Sequence, residues 1–343
     1  MYQNVQKHLA MIGLVCAIVL WAASFVAMKY AIAEFGPILT VFLRMILAAA
    51  VLIFFLRPMA KKQQYQKGDW WLLLLLALCE PCLYFIFESY ALTYTTASEA
   101  GMITSLQPIM VAVAAYYLLK EKLNSRLIVG CLMAVAGVVW LTLSGESSEH
   151  ASNPMLGNAL EFGAITAAAA YCLLARKLSQ RYSPVFLTLL QMIMGTLFFL
   201  PFLLVQDTVI PTDVSAEGVI AILFLAFGVN IFAFTCYNFA FKTMPASKVG
   251  SMMNLLPIGT LFFGWLILDE QLNGTQYLAA GLVLLGVIWS QTKPRSTVFV
   301  EHYVVRKSMR ERAKQRLLRG FGLEKGESSE YQPQAKAEPK AES

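Results

Sequence analysis

Apolar residues in this chain run in long stretches, without the three-to-four-residue spacing of a surface helix or the alternation of a half-buried strand. Ten stretches stand out, near 11–33, 38–56, 70–91, 97–119, 126–143, 155–175, 184–205, 217–240, 247–268 and 275–292. Each has roughly the 18–24 residues a helix needs to cross a hydrocarbon core of ~30 Å. Lipid offers the backbone no hydrogen-bond partners, so all ten are expected to be helices.

Polar positions break these runs in a pattern that repeats. "ASEAGMITSLQPIM" (97–110) and "ASKVGSMMNLLPIG" (246–259) place proline 149 residues apart. At that offset Ala97, Ser98, Gly101, Leu106, Pro108, Ile109, Glu121, Leu123, Asn124, Gly137, Val138 and Trp140 all meet an identical residue. Apolar helices match by chance at Leu or Ala, but not at Pro, Glu, Asn and Trp together. The start of each half aligns at offset 147, through Lys29/Arg176, Pro37/Pro184 and Met45/Met192. Five spans per half is an odd number, so the second half should cross the membrane upside down, as in many secondary transporters.

Charge sets the expected orientation. Cations collect in cytoplasmic loops. With a cytoplasmic N-terminus, 25 of the 27 lysines and arginines fall on the inner side, and the outer loops hold none. The two others, Lys29 and Arg44, lie within spans. The expected fold is therefore an all-α membrane protein of ten transmembrane helices, built as two inverted five-helix repeats with both termini cytoplasmic. Residues 1–145 form the first repeat, 146–292 the second, and 293–343 a basic, partly disordered tail. "SMRERAKQRLLRGFGL" in that tail opens on a capping-box pattern and reads either as a helix on the anionic inner leaflet or as a solvated one.

Composition agrees and removes function classes. The chain is 58% hydrophobic and only 14% charged, with a mean hydropathy of +0.60, too little charge to cover a soluble domain of 343 residues. The first run is too long for a cleavable signal and reads as a retained helix. All six cysteines lie within spans, where the pair in "CEPC" (Cys79, Cys82) reads as packing residues. His8, His150 and His302 lie outside the spans, leaving no metal-ligand set. With no phosphate-binding GxxxxGK[ST] and no nucleophile–base pair, neither an enzyme nor a cofactor is expected.

"WAASFVAMK" in the first span, Pro37 to Arg44 entering the second, and "YALTYTTASEAGMITSLQPIMVAVAAYYLLKEKL" over the third and fourth carry a resemblance. So does "FAFKTMPASKVGSMMNLLPIGTLFFGWLILDEQL" in the second half. Together they resemble the ten-helix EamA branch of the drug/metabolite transporter superfamily, over residues 1 to about 293. The resemblance implies a carrier of the bacterial inner (plasma) membrane, commonly an exporter of amino acids or related small metabolites, with a cavity between the repeats. It does not name a substrate. Uptake or exchange of a sugar, nucleotide-sugar or other metabolite stays open, as does a non-transporting membrane sensor or partner protein. Expected partners are a small-molecule metabolite, protons and membrane lipid, with a homodimer open and no nucleic acid.

Ionisable groups inside the spans mark candidate sites, because placing one at the bilayer centre costs about 2.5–3.5 kcal/mol even on the lenient insertion scale. Glu80, Tyr84 and Glu88 share one face of the third span, Arg44 lies in the second and Glu161 in the sixth. Their repeat counterparts are uncharged: Val229 for Glu80, Tyr237 for Glu88, Gln191 for Arg44. Symmetric residues can serve folding and gating, whereas asymmetric charges point to substrate or proton contacts. Arg44 is a candidate carboxylate clamp and Glu80 or Glu88 a candidate proton carrier; the competing reading is a structural Arg44–Glu88 pair. Asn230, Tyr237 and Asn238 read as substrate contacts or as helix–helix bonds, and Trp21 and Ser24 as cavity lining or packing. Pro108 and Pro257 should break their helices at the amide bond otherwise made to Thr104 and Met253, as gating kinks or packing kinks. Lys29 and Arg176 are expected to snorkel at opposite interfaces. Glu121 and Glu270 are expected to bond the amides that open the fifth and tenth spans.

Overall fold

The long apolar runs fold as helices. The computed structural model describes residues 2–55, 63, 65–119, 125–145, 151–205, 211, 213–244, 249 and 252–291. Glu121 and the tail from Lys293 lie outside the described residues. Helix α1 (Tyr2–Leu52) contains the first two expected spans, joined at Gly36 with φ 73° and ψ 167°. Only glycine adopts that geometry without strain, so the first reversal can be this tight. The third expected span folds as α2 (Asp69–Ala77), a π-helical stretch (Leu78–Leu83) and α3 (Tyr84–Tyr94). The fourth is α4 (Ala97–Thr104) and α5 (Gln107–Leu119), followed by α6 (Ser125–Leu143). The second half has α7 (Pro154–Leu178), α8 (Pro184–Val205), α9 (Ala216–Leu223), a π-helical stretch (Phe224–Ala233) and α10 (Phe234–Thr243). A 3₁₀ turn (Met253–Leu255), α11 (Leu256–Leu268) and α12 (Gly274–Gln291) complete it. Among the described residues, five helical stretches are long and apolar enough to cross a membrane, alongside shorter apolar helices.

Polarity is distributed for lipid. Leu132, Leu143, Leu278 and Leu285 point outward, while Arg44, Glu80, Glu88, Glu99 and Glu161 are buried. A soluble protein places these residue types the other way round.

The breaks fall at equivalent places in the two halves. The first-half π stretch maps into the second-half one at offset 149, and the break at Ser105–Leu106 maps onto the turn before Leu256. Pro108 and Pro257 each sit in the first turn of the helix that resumes, where a missing N–H costs nothing. Each break thus precedes its proline by one or more residues, and the proline opens the helix that follows.

Contacts recur with the halves exchanged. The most extensive helix pair is α6 with α12. A Cβ on Gly286 would lie 2.7 Å from the Gly130 oxygen and 2.6 Å from the Ala134 nitrogen, and one on Gly137 would lie 3.0 Å from the Ala279 oxygen. Gly130 and Gly137 are the repeat counterparts of Ala279 and Gly286, so the two contacts are one contact seen twice. These backbones meet because no side chain separates them. Similarly, Glu34 accepts from the Ser215 amide and hydroxyl, while its counterpart Arg181 donates to Gln66, the counterpart of Ser215. The scaffold repeats and the charge inverts.

Arg181 also pairs with Asp69 at 2.8 Å, and the Tyr182 hydroxyl donates to Asp69 at 2.9 Å, fastening the start of α2 to the α7–α8 reversal. Burial, then the adjoining Asp69 carboxylate, pushes the Tyr182 phenol up to about 12 from its ordinary 10.0. A raised value means that folding favours the neutral phenol. That stabilisation is complete below the unfolded value and is lost as pH climbs through the folded one. Tyr182→Phe should therefore be less stable at neutral pH yet flatten the loss of stability between about pH 10 and pH 12. Thermal unfolding across that range, wild type against variant, checks it. Parallel curves would sink the assignment.

Candidate functional site

The helix breaks surround a cavity of about 40 Å³, room for two or three waters. Glu80 faces it from the first π stretch, Val229 from the second, Thr104 and Gln107 from either side of the α4–α5 break, and Met253 and Leu256 from the junction before α11. Broken backbone is tolerated at membrane depth where it lines such a space.

The walls follow the repeat but not its chemistry. Glu80/Val229, Phe85/Phe234, Glu88/Tyr237, Thr104/Met253 and Gln107/Leu256 are counterparts at offset 149, and both members of every pair line the cavity. In four of the five the first-half member is the more polar. One wall is charged and the other is largely apolar.

Arg44 anchors the polar side. It is 1% exposed. Its Nε and Nη2 donate to Asn230 Oδ1 at 3.1 and 2.7 Å, Nη1 donates to Met28 Sδ at 3.2 Å, and the Asn230 amide donates back to the Arg44 carbonyl at 3.0 Å. The guanidinium lies over Phe85, 4.3 Å from the ring centre. N–H donors beyond these three bonds remain. The structural Arg44–Glu88 pair does not form, because Asn230 holds the guanidinium instead; Glu88 Oε1 accepts from the Tyr84 hydroxyl at 2.6 Å. In the other half Gln191 Nε2 donates to the Glu80 carbonyl at 2.9 Å, so the counterpart residue likewise supports a π stretch. Glu80 itself has φ −146° and ψ 114°, an extended residue inside a helix, which is why its carbonyl needs an outside donor.

Arg44, Glu80, Tyr84, Glu88 and Trp21 come together in the cavity wall. Trp21 packs edge-on to Phe234 and Tyr237 at 5.6 and 4.8 Å between ring centres. Asn230 stands behind Arg44. Asn238 bonds Tyr171 and Thr188, joining α10 to α7 and α8. Glu161 is buried on α7, one turn before the wall residue Ile165. Gln107 was legible as a polar residue beside the repeated proline. Phe25, Phe234, Met253 and Ile165 carry no sequence signal, being apolar residues among apolar residues.

A second buried cluster lies at one end of the bundle. Glu99 accepts from Asn158 at 2.8 Å, Gln276 at 2.7 Å and Thr95 at 3.2 Å. Next to it, Glu270 accepts from the amides of Ala97 and Ser98 at 2.8 and 2.9 Å. This corrects the expectation for Glu270, which caps α4 in the first half and not the tenth span. The left-handed Asp269 (φ 51°) precedes it, and the Glu270 amide bonds back to the Gly264 carbonyl. Lys29 lies within electrostatic reach of Glu270 and Glu99.

The chain has relatives among known proteins in both sequence and fold. The EamA-like transporter family matches residues 8–143 and again 155–292. An uncharacterized transporter of Archaeoglobus fulgidus is 28% identical over 84% of this chain and 99% of its own length. The uncharacterized transporter YetK of Bacillus subtilis is 28% identical over 62% of this chain and 65% of that protein, just under two thirds. A solved crystal structure shares the fold, with a TM-score of 0.59 at 21% identity over 82% of this chain and 96% of its own.

Proposed function

The chain belongs to the EamA-like transporter family, and we propose that it is a secondary carrier of the bacterial inner membrane that exports amino acids or related small metabolites by alternating access. The observation that carries this reading is the divided cavity. A guanidinium and two carboxyl groups line one wall, and Val229, Phe234, Met253 and Leu256 line the other. An amino acid has matching parts: a carboxylate for Arg44, an ammonium for Glu80 or Glu88, and a side chain for the apolar wall. A sugar offers no ions to pair with these charges.

Alternating access has its support in the exchanged contacts. Two inverted halves of five spans each, residues 1–145 and 146–292, with both termini cytoplasmic, would explain why each break, glycine crossing and end contact occurs twice. A cavity with room for two or three waters is too small for an amino acid with a large apolar side chain, so loading one requires the walls to move apart. Rocking one half against the other at the breaks before Pro108 and Pro257 supplies that motion.

Liposomes reconstituted with the purified chain and loaded with a radiolabelled amino-acid panel test the reading. Saturable efflux of a few apolar members is expected, and it should respond to an imposed pH gradient. Arg44→Gln should raise KM at least tenfold for a carboxylate-bearing substrate. No flux of any amino acid would sink the substrate class. Intact flux in Arg44→Gln alongside none in Glu88→Gln would sink the clamp.

A further inference from the structure

Glu161 is not part of the cavity wall, yet it is the strangest acid in the bundle. It is 0% exposed, and neither carboxylate oxygen has a hydrogen-bond partner. Every other buried acid among the described residues has donors or faces the cavity. Holding an ionised carboxylate in such a place, without a single donor, costs several kcal/mol. A proton removes that cost.

Its neighbours define the site. Glu88 on α3 lies close enough to interact with Glu161 electrostatically, and so does Tyr84. The Tyr84 hydroxyl already donates to Glu88. Along α7, Asn158, Glu161, Ile165 and Ala168 fall on one face at helical spacing. Asn158 bonds Glu99 of α4 and Thr142 of α6, while Ile165 and Ala168 line the cavity. Glu161 thus stands between the Glu99 cluster at the bundle end and Glu88 at the cavity. The cation that acts on Glu88 is Arg44 of α1, which gives two of its N–H donors to Asn230.

We propose that Glu161 and Glu88 form a proton-binding site behind the substrate cavity, in which Glu161 carries a proton and never touches substrate. This rests on the carrier reading and supplies its coupling ion. Loading forms one O–H bond on a Glu161 oxygen with a proton from water. Release breaks that bond and returns the proton to water, leaving a carboxylate, and no electrons change hands. Both carboxyls are buried within electrostatic reach of each other, so a proton on one relieves their mutual repulsion. Hydration of the cavity when the halves part lets the proton leave. Buried carboxyl chains with this placement serve proton relays in other membrane proteins.

Infrared difference spectroscopy of the full-length protein in phosphatidylethanolamine–phosphatidylglycerol vesicles, with the proton alone as ligand, tests the site. Wild type should show a protonated-carboxyl C=O band at neutral pH that shifts in D₂O and disappears at high pH. Glu161→Gln should remove one carboxyl's worth of that band, and Glu80→Gln should leave that component in place. Should Glu161→Gln fail to fold, Glu88→Gln serves instead. It should displace both the frequency and the titration midpoint of the Glu161 band. A band unchanged in Glu161→Gln, unmoved in Glu88→Gln, or abolished by sodium at constant pH would overturn the proposal. No substrate enters the measurement, so these outcomes judge the proton site alone, whereas the flux panel judges the carrier reading.

Discussion

Replacing Arg44 by alanine is expected to destabilise the protein by about 3 kcal/mol, far more than the same change at its repeat counterpart Gln191. The difference follows from what each leaves behind. Without Arg44, the buried Asn230 Oδ1 loses both of its donors, which costs about 1–3 kcal/mol for an unsatisfied group. The guanidinium–Phe85 contact adds about 1–2 kcal/mol when desolvated. Glu80 and Glu88 also lose the nearby positive charge. Gln191 makes one neutral bond to the Glu80 carbonyl, and leaving that single acceptor unpaired costs about 1 kcal/mol, with no ring contact or charge lost besides. Arg44→Lys should recover little, because an ammonium cannot place two donors on one amide oxygen while stacking on a ring. Thermal unfolding of detergent-solubilised variants, with Asn230→Ala completing a double-mutant cycle, is the measurement. A coupling energy of about 1–2 kcal/mol between Arg44 and Asn230 is expected. Equal losses at Arg44 and Gln191, with no coupling, would show that Asn230 does not hold the arginine.

The second large effect is expected at Glu270. Its carboxylate takes the first two amides of α4, while Thr96 Oγ1 takes the third from Glu99. α4 is only eight residues long, too short to be stable without such help. Charge-assisted bonds to buried amides contribute about 1.5–3 kcal/mol each, and the helix dipole adds to them. Glu270→Ala should cost about 3 kcal/mol. Glu270→Gln, which keeps one accepting oxygen, should cost about half of that. Hydrogen exchange at Ala97 and Ser98 should rise in both variants, more in the alanine. Unchanged protection there would mean that α4 does not depend on this cap. Ala97 and Glu270 lie on opposite halves of the chain, so loosening this contact should also alter transport, since it ties the halves together at that end.

Much of this architecture was legible without coordinates. The apolar helices, the duplicated proline and the uncharged counterparts of Arg44, Glu80 and Glu88 follow from residue identity and spacing. Lipid acts on each residue separately: a backbone amide must be bonded within its own helix, and a charge must be hidden, whichever partner hides it. Those requirements leave marks readable one position at a time. Partner choice leaves none. Arg44 had a plausible mate in Glu88 but meets Asn230, because the π-helical stretch of the second half turns that amide toward it. Glu270 had a plausible target in the helix that follows it but caps α4, because the left-handed Asp269 and the packing of α11 against α4 bring it there. The apolar wall of the cavity, and the isolation of Glu161 between Glu99 and Glu88, depend on which faces the folded helices turn toward one another. An apolar run contains no record of that.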